Sequence, residues 1–136
     1  TRALSILVAE DNEINALLAR SLLDRLGHRA TVVADGARAC AEWDMARAAG
    51  RPFDLVLMDV QMPTMDGIAA ARQIRATEAA TQGGRTPIIA LTANTASEDR
   101  DACLAAGMDG FLTKPLDRDQ LAACLHEVLA RKPLAA

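Results

Sequence analysis

The chain has 136 residues, enough for one domain with a single substantial core and too few for several modules. Hydrophobic residues make up 51% and charged residues 24%, an ordinary globular mixture, but the aromatic share is only 2% and Tyr is absent, so the core must come from Leu, Ile, Val, Ala and Met. A formal net charge of -3, with arginines scattered and no basic run, leaves no electrostatic footprint for nucleic acid or an anionic membrane.

Cys40, Cys103 and Cys124 are odd in number, far apart and without a C-x-x-C pair, so neither a disulfide framework nor a zinc site is expected; each reads as a small core residue in an Ala-rich helix. No apolar stretch approaches the roughly 20 residues that span a bilayer, and no signal-peptide pattern opens the chain. A reducing cytoplasm is the expected setting, although a parent protein could be membrane-anchored. The chain opens on Thr1 without an initiator Met, which points to a piece of a longer polypeptide.

In chain order, Leu4 to Ala9 is a short apolar run that stops at Glu10-Asp11, a first strand. From about Asn12 the period changes to helical, with Ile14, Leu17, Leu18, Leu22 and Leu26 along one apolar face until Gly27. His28 to Val33 is partly polar, as an edge strand would be. Asp35-Gly36 then opens a helix carrying Ala39, Cys40, Trp43 and Ala46, which Gly50-Arg51-Pro52 ends. Leu55 to Met58 is a buried strand that stops abruptly on Asp59. A helix is predicted from Gly67 to about Ala80, with Ile68, Ala71 and Ile74 inward and Asp66 as its cap, and Gln82 to Arg85 reads as a loop. Pro87 to Thr92 is an apolar strand ending on a hydroxyl. A helix over 96–106 is closed by Gly107, Asp109 to Thr113 forms the fifth strand, and a helix from about Asp117 to Ala130 places Leu121, Cys124, Leu125 and Val128 on one face. Trp43 is expected to be packing, and neither His28 nor His126 belongs to the strand-end cluster.

Five strands alternating with five helices through short loops specify an α/β sandwich with a mainly parallel sheet, because parallel neighbours need a crossover helix. Ligands of such sheets bind beyond the carboxyl ends of the strands. Here those ends carry Glu10 and Asp11, Asp59, Thr92 and Lys114. Carboxylates crowded at one edge repel unless a cation joins them. Oxygen donors without nearby His or Cys favour a hard ion, and a few carboxylates completed by waters suit Mg²⁺ better than a calcium cage. A carboxylate beside such an ion can attack a phosphoryl group; Asp59 is the best placed nucleophile, Lys114 a fixed positive charge for phosphoryl oxygens, and Thr92 a hydroxyl donor.

Glu10-Asp11, the run Met58-Asp59-Val60-Gln61-Met62-Pro63-Thr64-Met65-Asp66-Gly67, Ala90-Leu91-Thr92-Ala93 and Phe111-Leu112-Thr113-Lys114-Pro115 together resemble the receiver domain of two-component response regulators. The resemblance covers essentially the whole chain, one receiver domain over 1–136 with a core of about 4–131. It implies a flavodoxin-like (βα)5 three-layer sandwich, with a parallel sheet of order 2-1-3-4-5 and helices on both faces. Asp59 would accept the phosphoryl group of a histidine kinase or histidine-phosphotransfer domain. Asp11, Asp59 and the backbone carbonyl of Gln61 would hold Mg²⁺, with Glu10 acting through water. Thr92 and Phe111 would be the switch pair, Lys114 the phosphoryl clamp and Lys114-Pro115 a cis bond. The output face would be the fourth helix, fifth strand and fifth helix. Such a domain catalyses its own phosphorylation and dephosphorylation and is no multiple-turnover enzyme. Glu10 departs from the Asp of many members, which implies altered metal affinity or dephosphorylation; Ala93 and Asn94 flank the site. The wording of the Asp59 and Thr92 motifs is similar to receivers fused to hybrid sensor histidine kinases, so kinase domains on the same polypeptide are expected partners.

Three other readings compete. An aspartyl-nucleophile phosphohydrolase wants a second acid two residues after the nucleophile, where this chain has Gln61. A flavin carrier of the same fold needs a Ser/Thr/Gly-rich phosphate loop after the first strand, which this chain lacks, and aromatics for stacking, of which it has few. A receiver-fold docking module without phosphorylation would not require suitable groups at every strand end.

Overall fold

A computed structural model describes residues 3–60, 62, 65–81, 84–92, 97–114 and 116–131. Five strands and five helices alternate: β1 (Ser5–Ala9), α1 (Glu13–Arg25), β2 (Arg29–Val33), α2 (Gly36–Ala48), β3 (Leu55–Asp59), α3 (Gly67–Thr81), β4 (Ile88–Thr92), α4 (Ser97–Ala105), β5 (Gly110–Thr113) and α5 (Arg118–Arg131). All the strand pairs are parallel and the order is β2-β1-β3-β4-β5. The expected fold and strand order are therefore present. The chain runs outward from β1 to β2 and in the opposite sense from β3 to β5, so the order reverses between β1 and β3, where such sheets open a crevice.

Side chains alternate across each strand and feed two core layers. Leu7, Val56, Met58, Ile88 and Ala90 pack against Ala39, Cys40 and Trp43 of α2, Ala70, Ala71 and Ile74 of α3, and Cys103 of α4. Ile6, Val8, Leu55, Leu57, Leu91 and Leu112 face Ala19, Leu22 and Leu23 of α1 and Leu121 and Leu125 of α5. Every residue of β3 and of β4 is buried, which explains why these strands read as unbroken apolar runs, whereas the edge strand β2 alternates. Asn12 caps α1 and Gly27, at φ 86°, closes it in the left-handed region that glycine occupies without strain.

The helix-one face differs from expectation. The apolar stripe from Ile14 to Leu26 is wider than the strip that meets the sheet: Ala19, Leu22 and Leu23 are buried, while Ile14 is 78% and Leu17 68% exposed. Cys40 and Cys103 are buried as expected, but Cys124 is half-buried. Burial pushes the thiols of Cys40 and Cys124 up to about 11, so both are inert at neutral pH. Trp43 is buried and its indole Nε1 donates to Thr86 Oγ1 at 3.1 Å, which satisfies the polar tip of the chain's only indole.

The amino ends of β4 and β5 are tied by a polar network that periodicity did not announce. Arg75 donates to Glu78 Oε1 at 2.7 Å, Asp109 Oδ2 at 2.9 Å, the Thr86 carbonyl at 2.8 Å and the Gly107 carbonyl at 2.9 Å. Glu78 is buried and also accepts the Thr86 N–H at 2.7 Å. A buried carboxylate tolerated this way is paired and hydrogen-bonded, and it joins α3 to the loops entering β4 and β5.

Candidate functional site

The site follows from the pleat. Two residues beyond Val8, Leu57 and Leu112, all in the layer facing α1 and α5, come Glu10, Asp59 and Lys114. The period of two keeps these side chains on one face just as the apolar strands run out. The Glu10 N–H donates to the Val33 carbonyl at 2.9 Å, the Val60 N–H to Leu91 at 3.1 Å and the Lys114 N–H to Thr92 at 2.8 Å, so each strand end is pinned to its neighbour.

Asp59 and Glu10 are buried, at 2% and 3% exposure, while Asp11 is exposed. Lys114 Nζ lies 2.9 Å from Asp59 Oδ2 and 3.2 Å from Glu10 Oε1. Glu10 Oε2 also accepts the Asn12 N–H at 3.1 Å. Carboxylate oxygens of Glu10, Asp11 and Asp59 all lie within 4.8 Å of one another, a group able to hold a metal ion. One lysine for three such acids leaves negative charge in excess, and the donors are all oxygen; this set fits Mg²⁺.

Electrostatics say the same. Burial raises the Glu10 carboxyl to about 7 from an ordinary 4.5, helped by the hydrogen bond and charge of Asp59 and opposed by the Asn12 N–H and the Lys114 charge. Loss of solvent would lower the Lys114 ammonium, but the hydrogen bond and charge of Asp59, with Glu10 behind, outweigh it and raise it above its ordinary value. Because the folded state keeps a proton on Glu10 that the unfolded chain has lost, metal-free stability should fall as pH rises from about 4.5 to about 7. Mg²⁺ must displace that proton, so its affinity should rise over the same window. Calorimetric Mg²⁺ titrations in two buffers of different ionisation heat should show proton release that vanishes above the window; a pH-independent affinity without release would contradict this.

Thr92 ends β4 buried beside the cluster, its neighbour Leu91 paired with Asp59. Phe111 is half-buried in β5 opposite Ala90, with the Arg100 guanidinium of α4 over its ring at 5.3 Å. Asp66 caps α3 by accepting the Ala69 N–H at 2.8 Å, as expected. Gln61, Ala93, Asn94 and Pro115 lie outside the described residues. Beside the acids, Asn15, Leu18, Leu91 and Leu116 line a shallow cleft with Glu10 and Lys114. Sequence reasoning missed the exposed Ile14 and Leu17 on α1, the helix that also supplies Asn15 and Leu18 to the cleft; an apolar stripe wider than one helix contact was the available signal. Among the described residues no helix is long and apolar enough to cross a membrane.

Comparison with known proteins agrees with this geometry. Sensor histidine kinase GacS of Pseudomonas protegens is 41% identical over 122 residues, covering 90% of this chain and 13% of that protein. The chain spans only 6 to 15% of the length of these curated kinases. Among solved structures, the receiver domain of sensor histidine kinase PA1611 from Pseudomonas aeruginosa PAO1, with a magnesium ion coordinated in its active site cleft, is 42% identical with a TM-score of 0.78, covering 95% of this chain and 99% of that one. The receiver domain of histidine kinase CKI1 from Arabidopsis thaliana, complexed with Mg2+ and BeF3-, is 34% identical with a TM-score of 0.82, covering 94% and 91%. The order-reversing parallel sheet and the acids and lysine at its carboxyl edge belong together with a family match that runs from residue 6 to residue 126, and the chain belongs to the response regulator receiver domains.

Proposed function

We propose that this chain is the phosphoacceptor unit of a phosphorelay, with Asp59 as the residue that carries the phosphoryl group and the whole of 1–136, core about 4–131, acting as one receiver. The observation that carries the reading is a buried Asp59 with a lysine ammonium at 2.9 Å and two further acids within 4.8 Å, at the reversal point of a parallel sheet. A carboxylate oxygen of Asp59 forms the new O–P bond, the P–N bond of a phosphohistidine breaks, and the leaving imidazole takes a proton from solvent. Asp11, Asp59 and Glu10, the last by way of a water, would hold Mg²⁺ together with the Gln61 carbonyl; when bound, the ion offsets charge on the transferring oxygens. Lys114 pairs with the same oxygens. Hydrolysis of the acyl phosphate by water returns Asp59, so turnover stays confined to the domain's own aspartate.

The new charge of about -2 draws the Thr92 hydroxyl and Lys114 inward, and Phe111 follows, biasing the face built by α4, β5 and α5 toward its bound form. Phe111 sits under Arg100 of α4, which supports that coupling. Acetyl phosphate with Mg²⁺ should add one phosphoryl group per chain; no incorporation at saturating donor would leave the docking-module reading in its place.

The donor is a phosphohistidine on a kinase or histidine-phosphotransfer domain, on the same polypeptide if the chain comes from a hybrid kinase, as its relatives' names favour; a cytoplasmic setting goes with that donor. Ile14 and Leu17, one turn apart at the start of α1 and close in sequence to the acids, are exposed anchors for that partner. Changing both to Ser should slow transfer from the cognate phosphohistidine on the order of tenfold while leaving acetyl phosphate labelling unchanged. Equal loss with both donors, or none with either, would contradict this.

A further inference from the structure

The dipeptide Asp-Gly opens both α2 and α3. Asp35 Oδ1 accepts the Arg38 N–H at 2.8 Å and Asp66 Oδ1 the Ala69 N–H at 2.8 Å, so capping accounts for the two aspartates. It leaves the glycines unexplained. Glycine is a weaker helix former than alanine, and neither Gly36 nor Gly67, each the first residue of its helix, has the positive φ that would call for it.

Steric contact does account for them. A Cβ on Gly67 would run into the Asp59 carbonyl oxygen, with the Asp59 carbonyl carbon and Met58 Cγ both at 2.9 Å. A Cβ on Gly36 would run into the Met65 carbonyl oxygen, with the Asp66 carbonyl oxygen at 3.1 Å. Most of these obstacles are backbone, which cannot swing aside as the end of a long side chain does. The same glycines hydrogen-bond there: the Gly67 N–H donates to Val60 at 3.1 Å and the Gly36 N–H to Met65 at 3.0 Å. The segment that leaves Asp59 is thus held at its start by the first residue of α3 and at its end by the first residue of α2.

We propose that Gly36 is a positioning residue for phosphoryl transfer at Asp59. It lets the start of α2 lie against the Met65 and Asp66 carbonyls, and through Gly67 that contact fixes the backbone of Asp59. The inference rests on the reading of Asp59 as the phosphoacceptor. The path runs from Gly36 to the Met65 carbonyl, along the covalent chain to Gly67, and by close packing to Asp59; no rotatable side chain lies on it to absorb a shift. Gly36 itself touches none of the reacting groups.

The test compares Gly36→Ala with Gly27→Ala in the 136-residue chain. Gly27 has φ 86° and open space around it, so its variant is strained but cannot push on the site. At a temperature where circular dichroism shows both variants folded, Gly36→Ala should lose on the order of 10- to 100-fold in acetyl phosphate labelling rate and bind Mg²⁺ more weakly. Gly27→Ala should lose thermal stability and keep both functions. A folded Gly36→Ala with unchanged rate and Mg²⁺ affinity would overturn the inference, as would equal losses in Gly27→Ala. Should Gly36→Ala fail to fold, the unmodified chain decides: addition of beryllofluoride with Mg²⁺ should shift the Gly36 amide resonance in step with that of Gly67, and an unmoved Gly36 overturns it. Unmodified chain that takes no phosphoryl group counts against the Asp59 reading, whereas labelled unmodified chain beside an equally active Gly36→Ala counts against the positioning role alone.

Discussion

Asp59→Asn is expected to reduce phosphoryl incorporation from acetyl phosphate by at least about a thousandfold while the domain stays folded. The amide keeps the shape of the carboxylate and removes the nucleophile. The effect on stability separates this role from a structural one. Asp59 and Glu10 crowd the same lysine, and Asp59 is among the groups that raise the Glu10 carboxyl to about 7. Removing one of two crowded acids relieves the other, so the variant should show a Glu10 carboxyl moved back toward its ordinary range and little or no loss of thermal stability at neutral pH. Were Asp59 mainly the partner of Lys114, the same substitution would destabilise the chain and leave the labelling of another residue intact. Incorporation is followed by intact mass, stability by thermal unfolding, and Glu10 by carboxyl carbon resonances across pH.

Lys114→Met should have two effects of different origin. With the cation gone, Asp59 and Glu10 remain buried without the positive side chain that lay 2.9 and 3.2 Å from them, a loss on the order of 2–3 kcal/mol at neutral pH without Mg²⁺, because breaking a buried pair strands its acid. The penalty should fade as pH falls and Glu10 takes up its proton, and saturating Mg²⁺ should restore more stability to the variant than to the unmodified chain. Labelling should fall by about 100- to 1000-fold even with Mg²⁺ present, because the fixed charge on the transferring oxygens is missing. A variant as stable as the unmodified chain at neutral pH without Mg²⁺, or one labelled at the same rate, would refute the role. Unfolding in urea with and without Mg²⁺ and labelling time courses provide both readouts.

Much of the site was legible because strands announce themselves by where their apolar runs stop. Glu10, Asp59 and Lys114 each follow a core residue by two places, and a period of two is enough to set them on one face. Parallel pairing followed from the alternation of strands with helices, but the strand order came only with the receiver resemblance, since periodicity says nothing about which strands are neighbours. Helix one shows the opposite limit: Ile14 and Leu17 fit the apolar stripe, yet the contact with the sheet is narrower than the stripe and leaves them outside. Glu78 was hidden for a different reason. Beside Arg75 at a spacing of three it reads as a surface ion pair, and burial came from the loops carrying Thr86 and Asp109, which no local pattern places. Gly36 and Gly67 looked like companions of helix caps, because a clash with a distant carbonyl leaves no mark in sequence.

The most direct measurement is chemical location of the phosphoryl group. After acetyl phosphate labelling with Mg²⁺, borohydride reduction converts an aspartyl phosphate to homoserine, which peptide mass mapping assigns to a position. Homoserine at position 59, absent when donor or Mg²⁺ is withheld, is the predicted result. Labelled protein that yields homoserine elsewhere, or none at 59, would contradict the account at its centre.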